Sequence, residues 1–268
     1  IDKTSFIKEW WDNMDSVTLI TRPRRFGKTL TISMLERFFS IQYYNESAIF
    51  EHLDIWKYPE YREIMGTYPA MERGLMTGIT RVSKESLFSD FNNMEVVTTT
   101  SVKYADVYGF TEDEVFSALD EYGLSDIKDK VKRWYDGFLF GNSKDIYNPW
   151  SIINLLDKKQ LGTYWANTSA NGLIAKLIQE GDRNIKQLFE TLLKGESIVC
   201  EIDEQIIYNQ LSINDNAIWS LLLASGYLTV VNYIGYGDAK LPENCMPQYE
   251  LKITNYETKL MFNELVKN

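Results

Sequence analysis

Histidine and cysteine are nearly absent from this 268-residue chain, which holds one of the first, His52, and two of the second, Cys200 and Cys245. The thiols are far apart, with no CxxC pair, so neither a disulfide framework nor a thiol–imidazole zinc site can be assembled. His52 has no neighbour that would make it a ligand or a general base, and it reads as a surface or turn residue. Long apolar runs are missing too. None approaches the ~18 residues of a membrane-spanning helix, and no secretory leader pattern opens the chain, so a reduced, cytoplasmic setting without membrane contact is expected. Ile1 is not an initiator Met, and the natural chain is expected to continue upstream. Positive charge is scarce as well: 28 Lys and Arg face 38 Asp and Glu, a net charge of −10. A protein that grips nucleic acid through phosphate contacts needs a basic face, and only residues 22–28 concentrate positive charge, so nucleic-acid binding is not expected of this chain alone. No internal repeat is evident.

What is present is apolar content, 44% by count, over a length that suits two domains at ~100–200 residues each. The most informative stretch is Arg22-Pro23-Arg24-Arg25-Phe26-Gly27-Lys28-Thr29. Before it, Val17-Thr18-Leu19-Ile20-Thr21 is rich in β-branched residues and suits a buried parallel strand. After it, Leu30, Met34, Leu35, Phe38 and Phe39 recur at helical spacing, predicting a helix over 28–41 with one apolar face. In such a strand-loop-helix unit the backbone N–H groups of the loop and the helix N-terminus point at a polyphosphate. Gly27 lets the backbone approach it, Lys28 neutralises β/γ oxygens, and the Thr29 hydroxyl ligates Mg²⁺. The match to G-x-x-x-x-G-K-[ST] is partial, because Arg22 stands where the first Gly belongs. A basic surface turn is the alternative reading of the same residues.

Residues 42–70 form a polar, Tyr-rich connection broken by Pro59 and Gly66. Leu75 to Thr80 and Val96 to Thr99 read as two further strands. A doubly wound nucleotide-binding sheet needs about five parallel strands, so the first hundred residues are short of two or three. Also missing is the acidic strand end that holds Mg²⁺ and orients water in phosphoryl-transfer sites. Asp120-Glu121 imitates it but closes a helical run over 112–119. A segment is therefore expected to be absent between about residues 69 and 71. From 111 onward the pattern is largely helical: Thr111 caps an acidic first turn, and helices follow at about 126–134, 149–157, 170–180 and 184–194. A helix at 217–225, strands at 227–231 and 248–253 around a Gly/Pro-rich tip, and a helix at 255–266 suggest a winged-helix arrangement.

Taken with Asp2-Lys3-Thr4, Thr77-Gly78-Ile79-Thr80-Arg81-Val82-Ser83, Phe88-Ser89-Asp90-Phe91-Asn92-Asn93, Trp134-Tyr135-Asp136-Gly137-Phe138 and Tyr147-Asn148-Pro149-Trp150-Ser151, the loop resembles the AAA-ATPase-like proteins of bacteria. Those are often joined to a C-terminal PD-(D/E)XK nuclease-like domain. The resemblance implies an α/β fold: an incomplete P-loop ATPase core of AAA type over residues 1–110, a helical lid region over 111–195 and a winged-helix-like α+β region over 196–268. It places the missing second and acidic strands between Tyr68 and Met71. It implies ATP and Mg²⁺ as cofactors and Lys28, Thr29 and Arg81 as catalytic residues. Asp2, Lys3, Thr4, Arg22, Pro23, Arg24, Arg25, Phe26, Gly27, Lys28 and Thr29 are the implied nucleotide contacts, with Thr29 on the metal. Thr80 and Arg81 end the strand that lies beside the acidic strand in AAA-type ATPases. A polar group there senses the γ-phosphate and an Arg stabilises transition-state charge; a structural ion pair is the bland reading of Arg81, and a plain helix cap that of Thr4. The aromatic motifs around Trp134 and Trp150 read as packing of lid on core.

Three functions remain open at this point. The first is an ATP-binding, ATP-hydrolysing switch for an attached or partner effector, such as a nuclease-like domain. The second is a module that holds nucleotide without turnover. The third is a metal-dependent nuclease using Glu243, Glu250 and Lys252, whose P-E…E-x-K order would supply two carboxylates for Mg²⁺ and a Lys for the attacking hydroxide.

Overall fold

The computed structural model describes residues 1–69, 72–80, 94–166, 172–203, 215–241 and 244–267, apart from the side chains at 172–175 and 215. Strand β1, Val17–Thr21, forms as its β-branched composition requires, with all but its first residue buried. It is the centre of a parallel sheet in the order β2-β1-β3, where β2 is Gly74–Gly78 and β3 is Met94–Val97. The one polar side chain in the middle of β1 with no exposure, Thr18, is satisfied by the Trp10 indole N–H at 3.1 Å. Trp10 belongs to helix α1, Ser5–Asp12, which buries Phe6, Ile7 and Trp10 against the sheet region. Helix α2, Lys28–Phe39, follows the loop and buries Leu35, Phe38 and Phe39. Leu30 departs from the expected apolar face: it is 75% exposed, because the first turn of α2 lies at the rim of a hollow and not on the core. The connection read as polar also contributes core. It carries three 3-10 turns and helix α3, Pro59–Ile64, and it buries Phe50, Ile55 and Tyr61.

The middle of the chain is less helical than its pattern suggests. Helices α4 (Glu112–Glu121), α5 (Lys128–Tyr135) and α6 (Pro149–Lys158) are joined by a three-stranded antiparallel sheet of β4 (Phe110–Thr111), β5 (Phe138–Phe140) and β6 (Ser143–Tyr147) in the order β4-β6-β5. Strands of two to five residues are too short to show an alternation, which is why the sequence reads as helix and turn there. Thr111 caps α4 as expected, in a reciprocal capping box with Glu114. Asp120 and Glu121 close α4, and Asp120 is held by Ser125 and Lys128. Val115, Leu119, Val131, Tyr135, Tyr147, Ile152 and Leu155 form a core of their own.

Helices α7 (Gly172–Glu180) and α8 (Arg183–Lys194) lead to β7 (Ile198–Glu201), helix α9 (Asp215–Ala224), β8 (Leu228–Ile234), β9 (Gln248–Ile253) and helix α10 (Tyr256–Lys267). β8 and β9 form the expected hairpin, with β8 running three residues beyond the expected 227–231, and β7 adds a third strand to give the antiparallel order β7-β9-β8. The larger apolar core runs without interruption from Phe6 and Ile20 through Phe26, Phe138 and Trp165 to Tyr227 and Phe262. No helix among the described residues is long and apolar enough to cross a membrane.

Candidate functional site

The loop after β1 turns sharply at two positive-φ residues, Arg25 at +65° and Gly27 at +78°. The second is the N-cap of α2, and a left-handed residue there suits Gly, the only residue that adopts it without a Cβ penalty. Immediately beyond it, Lys28 opens α2. Its ammonium donates to the carbonyls of Pro23 at 2.7 Å and Arg22 at 3.0 Å, and among the described residues no carboxylate pairs with it. Burial without a counter-ion lowers its pKa to about 8.

A hollow of about 730 Å³ opens over this helix start. It is lined by Arg25, Phe26, Gly27, Lys28, Thr29 and Thr31 around the start of α2, by Asp2, Lys3 and Thr4, by Ile49, Phe50 and Leu53, and by Phe110, Trp150 and Ile153. The N-terminal triplet and the loop, more than twenty residues apart, therefore share one cavity. Asp2 is fixed there: one carboxylate oxygen accepts from the Thr4 N–H and hydroxyl, both at 2.8 Å, and the other from the Asp54 N–H at 2.6 Å. Burial pushes the Asp2 carboxyl up, but these donors outweigh it and hold it below its ordinary range. Thr4 stands at the N-cap of α1 without capping it; its hydroxyl accepts from the Ile55 N–H at 3.1 Å instead. Lys3 is committed to Glu114 at 2.9 Å and to the Asp106 carbonyl at 3.0 Å.

Three loop residues expected at the nucleotide do not line the hollow. Arg22 is fully buried beneath it, donating to the carbonyls of Thr21 (2.9 Å), Thr98 (2.7 Å) and Tyr104 (3.1 Å), with its guanidinium 4.7 Å from the Phe140 ring centre. It ties the ends of β1 and β3 to residue 104, a structural use for the position where the loop pattern asks for Gly. Pro23 and Arg24 turn toward the C-terminal part of the chain. The Arg24 guanidinium lies 5.6 Å from the ring centres of both Trp165 and Tyr227 and donates to the Tyr227 hydroxyl. Burial lowers its pKa, and among the described residues no carboxylate pairs with it.

Thr29 is exposed at the mouth of α2. Arg81 and Glu243 lie outside the described residues, as do residues 70–71, where the break is expected, and residues 88–93. Glu250 and Lys252 share β9; Glu250 accepts from the Ser197 hydroxyl and Lys252 is exposed. A cluster of Glu112, Asp136 and Asp145 brings three carboxylates together, but the Lys132 ammonium already lies among them, bonded to Glu112, 3.5 Å from Asp145 and 4.0 Å from Asp136.

Two residues hold the site together in ways the sequence did not assign them. Asn148 caps α6 and reaches the Arg24 carbonyl at 3.4 Å, so the start of α6, with Trp150, is anchored to the loop. Arg25 then stacks 4.5 Å from the Trp150 ring centre. Glu257, buried in the first turn of α10, accepts from the backbone N–H of Trp165 (2.7 Å) and Ala166 (3.3 Å) and from the Ser151 hydroxyl (2.8 Å). Asn-Pro before an apolar helix was a legible cap signal; nothing in the sequence marks Glu257 as internal.

A parallel α/β sheet that hands a Gly-Lys-Thr turn to the start of a helix, beneath a hollow large enough for a nucleotide, places the protein among mixed α/β proteins of the AAA-ATPase-like kind. Residues 1–191 match the family described as predicted AAA-ATPase, and the chain belongs to that AAA-ATPase-like family. A relative from Azotobacter chroococcum mcd 1, described as an uncharacterized protein in the vnfD 5′ region, is 26% identical over 194 residues; these make up 71% of this chain and 33% of the relative. The match thus spans about a third of the relative's length. No solved structure matches the chain.

Proposed function

We propose that the 22–29 turn is a phosphate-binding loop and that the chain is an ATP-binding, ATP-hydrolysing module of AAA type. In this reading residues 1–110 are the ATPase core, 111–195 a lid and 196–268 a winged-helix-like region, and nucleotide occupancy acts as a switch for an attached or partner effector, such as a nuclease-like domain. The observation that carries it is Lys28: a half-buried ammonium with no carboxylate partner among the described residues, at the start of α2 and lining a hollow of about 730 Å³. A fixed cation beside free helix N–H groups is what a polyphosphate requires. Lys28 would neutralise β/γ oxygens, Thr29 would hold Mg²⁺, and the bound Mg²⁺ would screen phosphate charge. Asp2 and Thr4, already locked to residues 54–55, would border the nucleoside. Family membership supports nucleotide binding.

Calorimetric titration of ATP and ADP with Mg²⁺ tests the assignment. The chain is expected to bind, and Lys28→Ala to weaken binding about 10- to 100-fold, the worth of one charged hydrogen-bond donor. Equal affinity in the two proteins would remove the loop from the site. A second reading, nucleotide binding without turnover, is favoured by one observation: β1, β2 and β3 end in Thr21, Gly78 and Val97, so no described parallel strand ends in a carboxylate for Mg²⁺. Phosphate release no faster than that of Lys28→Ala would decide for it.

A further inference from the structure

The loop that carries Lys28 is fastened, on its other side, to the C-terminal part of the chain. Pro23 is buried against Gly226: a Cβ on Gly226 would sit 2.8 Å from the Pro23 ring, and Gly226 takes a φ of +82° that favours glycine. The next residue, Arg24, is held from three directions. Its carbonyl accepts from the Trp165 indole N–H at 3.0 Å and from Asn148, and its guanidinium rests on Trp165 and Tyr227 and donates to the Tyr227 hydroxyl. Tyr227 itself lies between α9 and β8, in the core that continues to Phe262 of α10.

Lys28 connects this fastening to the hollow. Its ammonium donates to the carbonyls of Arg22 and Pro23, the two residues that precede Arg24. A polyphosphate oxygen carries negative charge, so it attracts the ammonium by charge as well as by hydrogen bonding, which a neutral carbonyl does not. An anion bound over α2 would therefore compete for the ammonium and loosen its hold on the Arg22 and Pro23 carbonyls. The peptide between Pro23 and Arg24 is the part of the loop left to respond, and it is the part that bears on Gly226, Trp165 and Tyr227. Its movement changes the contacts made in the two states, which is what a coupling between sites needs.

We propose that Arg24 is a positioning residue that transmits occupancy of the Lys28 site to residues 226–230, through its carbonyl on Trp165 and its guanidinium on Tyr227. The inference rests on the nucleotide reading of the loop and adds the route by which the C-terminal region senses it. That route does not pass through the hollow: Arg24, Trp165 and Tyr227 are absent from its lining, so a change there does not remove a ligand contact.

The test is hydrogen–deuterium exchange of the full chain, with and without ATP and Mg²⁺ at saturation, read at residues 224–234, beside a calorimetric affinity. In the unaltered protein nucleotide is expected to shift exchange at 226–230. Tyr227→Phe keeps the ring and loses the hydroxyl; it is expected to bind ATP within about twofold of the unaltered protein and to lose the shift at 226–230. Trp165→Phe, which loses the indole N–H donor, is expected to behave in the same way, and a normal near-ultraviolet circular dichroism spectrum shows that each variant is folded. Binding with no shift at 226–230 in the unaltered protein, or an undiminished shift in both variants, overturns the inference and leaves the nucleotide reading standing. Absence of ATP binding in the unaltered protein overturns both.

Discussion

Arg22 is the residue at which sequence pattern and structure diverge most usefully. On the page of the sequence it is the first of three arginines in a basic turn, and basic turns belong at the surface or on a phosphate. Its side chain is instead the peg on which β1, β3 and residue 104 hang, through the carbonyls of Thr21, Thr98 and Tyr104. Arg22→Gly, which would complete the G-x-x-x-x-G-K-T pattern, is therefore expected to damage the protein. It leaves a side-chain-sized void and removes the donor to three buried carbonyls, at a cost of about 3 kcal/mol or more. Urea unfolding followed by circular dichroism measures this, and an unchanged midpoint would mean that water replaces the guanidinium freely. The places of Gly27 and Lys28 in the fold, by contrast, were legible, because both depend on local geometry: a strand, a left-handed residue and a helix start.

Among the elements, β1 and β9 were readable to the residue, since a buried β-branched run and an alternating one carry their signal in five or six positions. The sheet β4-β6-β5 was not, being built from strands of two, five and three residues: β5 and β6 are too short to alternate, and β4 finds its partners thirty-five or more positions away. The same limit hid Glu257. An acidic residue in the first turn of a helix is ordinary at a surface, and only the packing of α6 and residues 165–166 over α10 makes it internal. Burial, partly offset by the Ser151 and backbone donors, pushes its carboxyl up to about 6 from an ordinary 4.5. The folded chain thus holds this proton to higher pH than the unfolded chain. Its contribution to stability is fully present below about pH 4.5 and is lost as pH rises through about 6, a swing of up to about 2 kcal/mol. Glu257→Gln can keep the acceptors for Trp165 and Ala166 and turn its amide to the Ser151 oxygen. It is expected to flatten this segment of the stability profile and to raise stability at pH 7.5; thermal melts of both proteins from pH 4.5 to 7.5 check it, and parallel curves would place the charge in contact with water.

At the scale of the whole molecule, the loop and the C-terminal region meet with no room to spare at Gly226. Gly226→Ala combines a positive φ with a Cβ within 3 Å of Pro23 and Phe138. It is expected to cost about 1–3 kcal/mol and to weaken ATP binding from a position outside the hollow, by displacing Pro23; an unfolding midpoint and a titration measured on one preparation test both parts. The contact joins sequence neighbourhoods two hundred residues apart, and no local pattern announces it. The uninterrupted core that runs from Phe6 to Phe262 also bears on how the protein is made. A chain emerges from the ribosome N-terminus first, at about 5–20 residues per second, and its early parts usually fold as they appear. Here Phe26, in the loop between β1 and α2, packs on Phe138, and the contact continues through Trp165 and Tyr227 to Phe262 of α10. Until Phe138, Trp165 and Tyr227 have emerged, that face of Phe26 has no permanent cover, and the nascent chain must be kept from aggregating by other means.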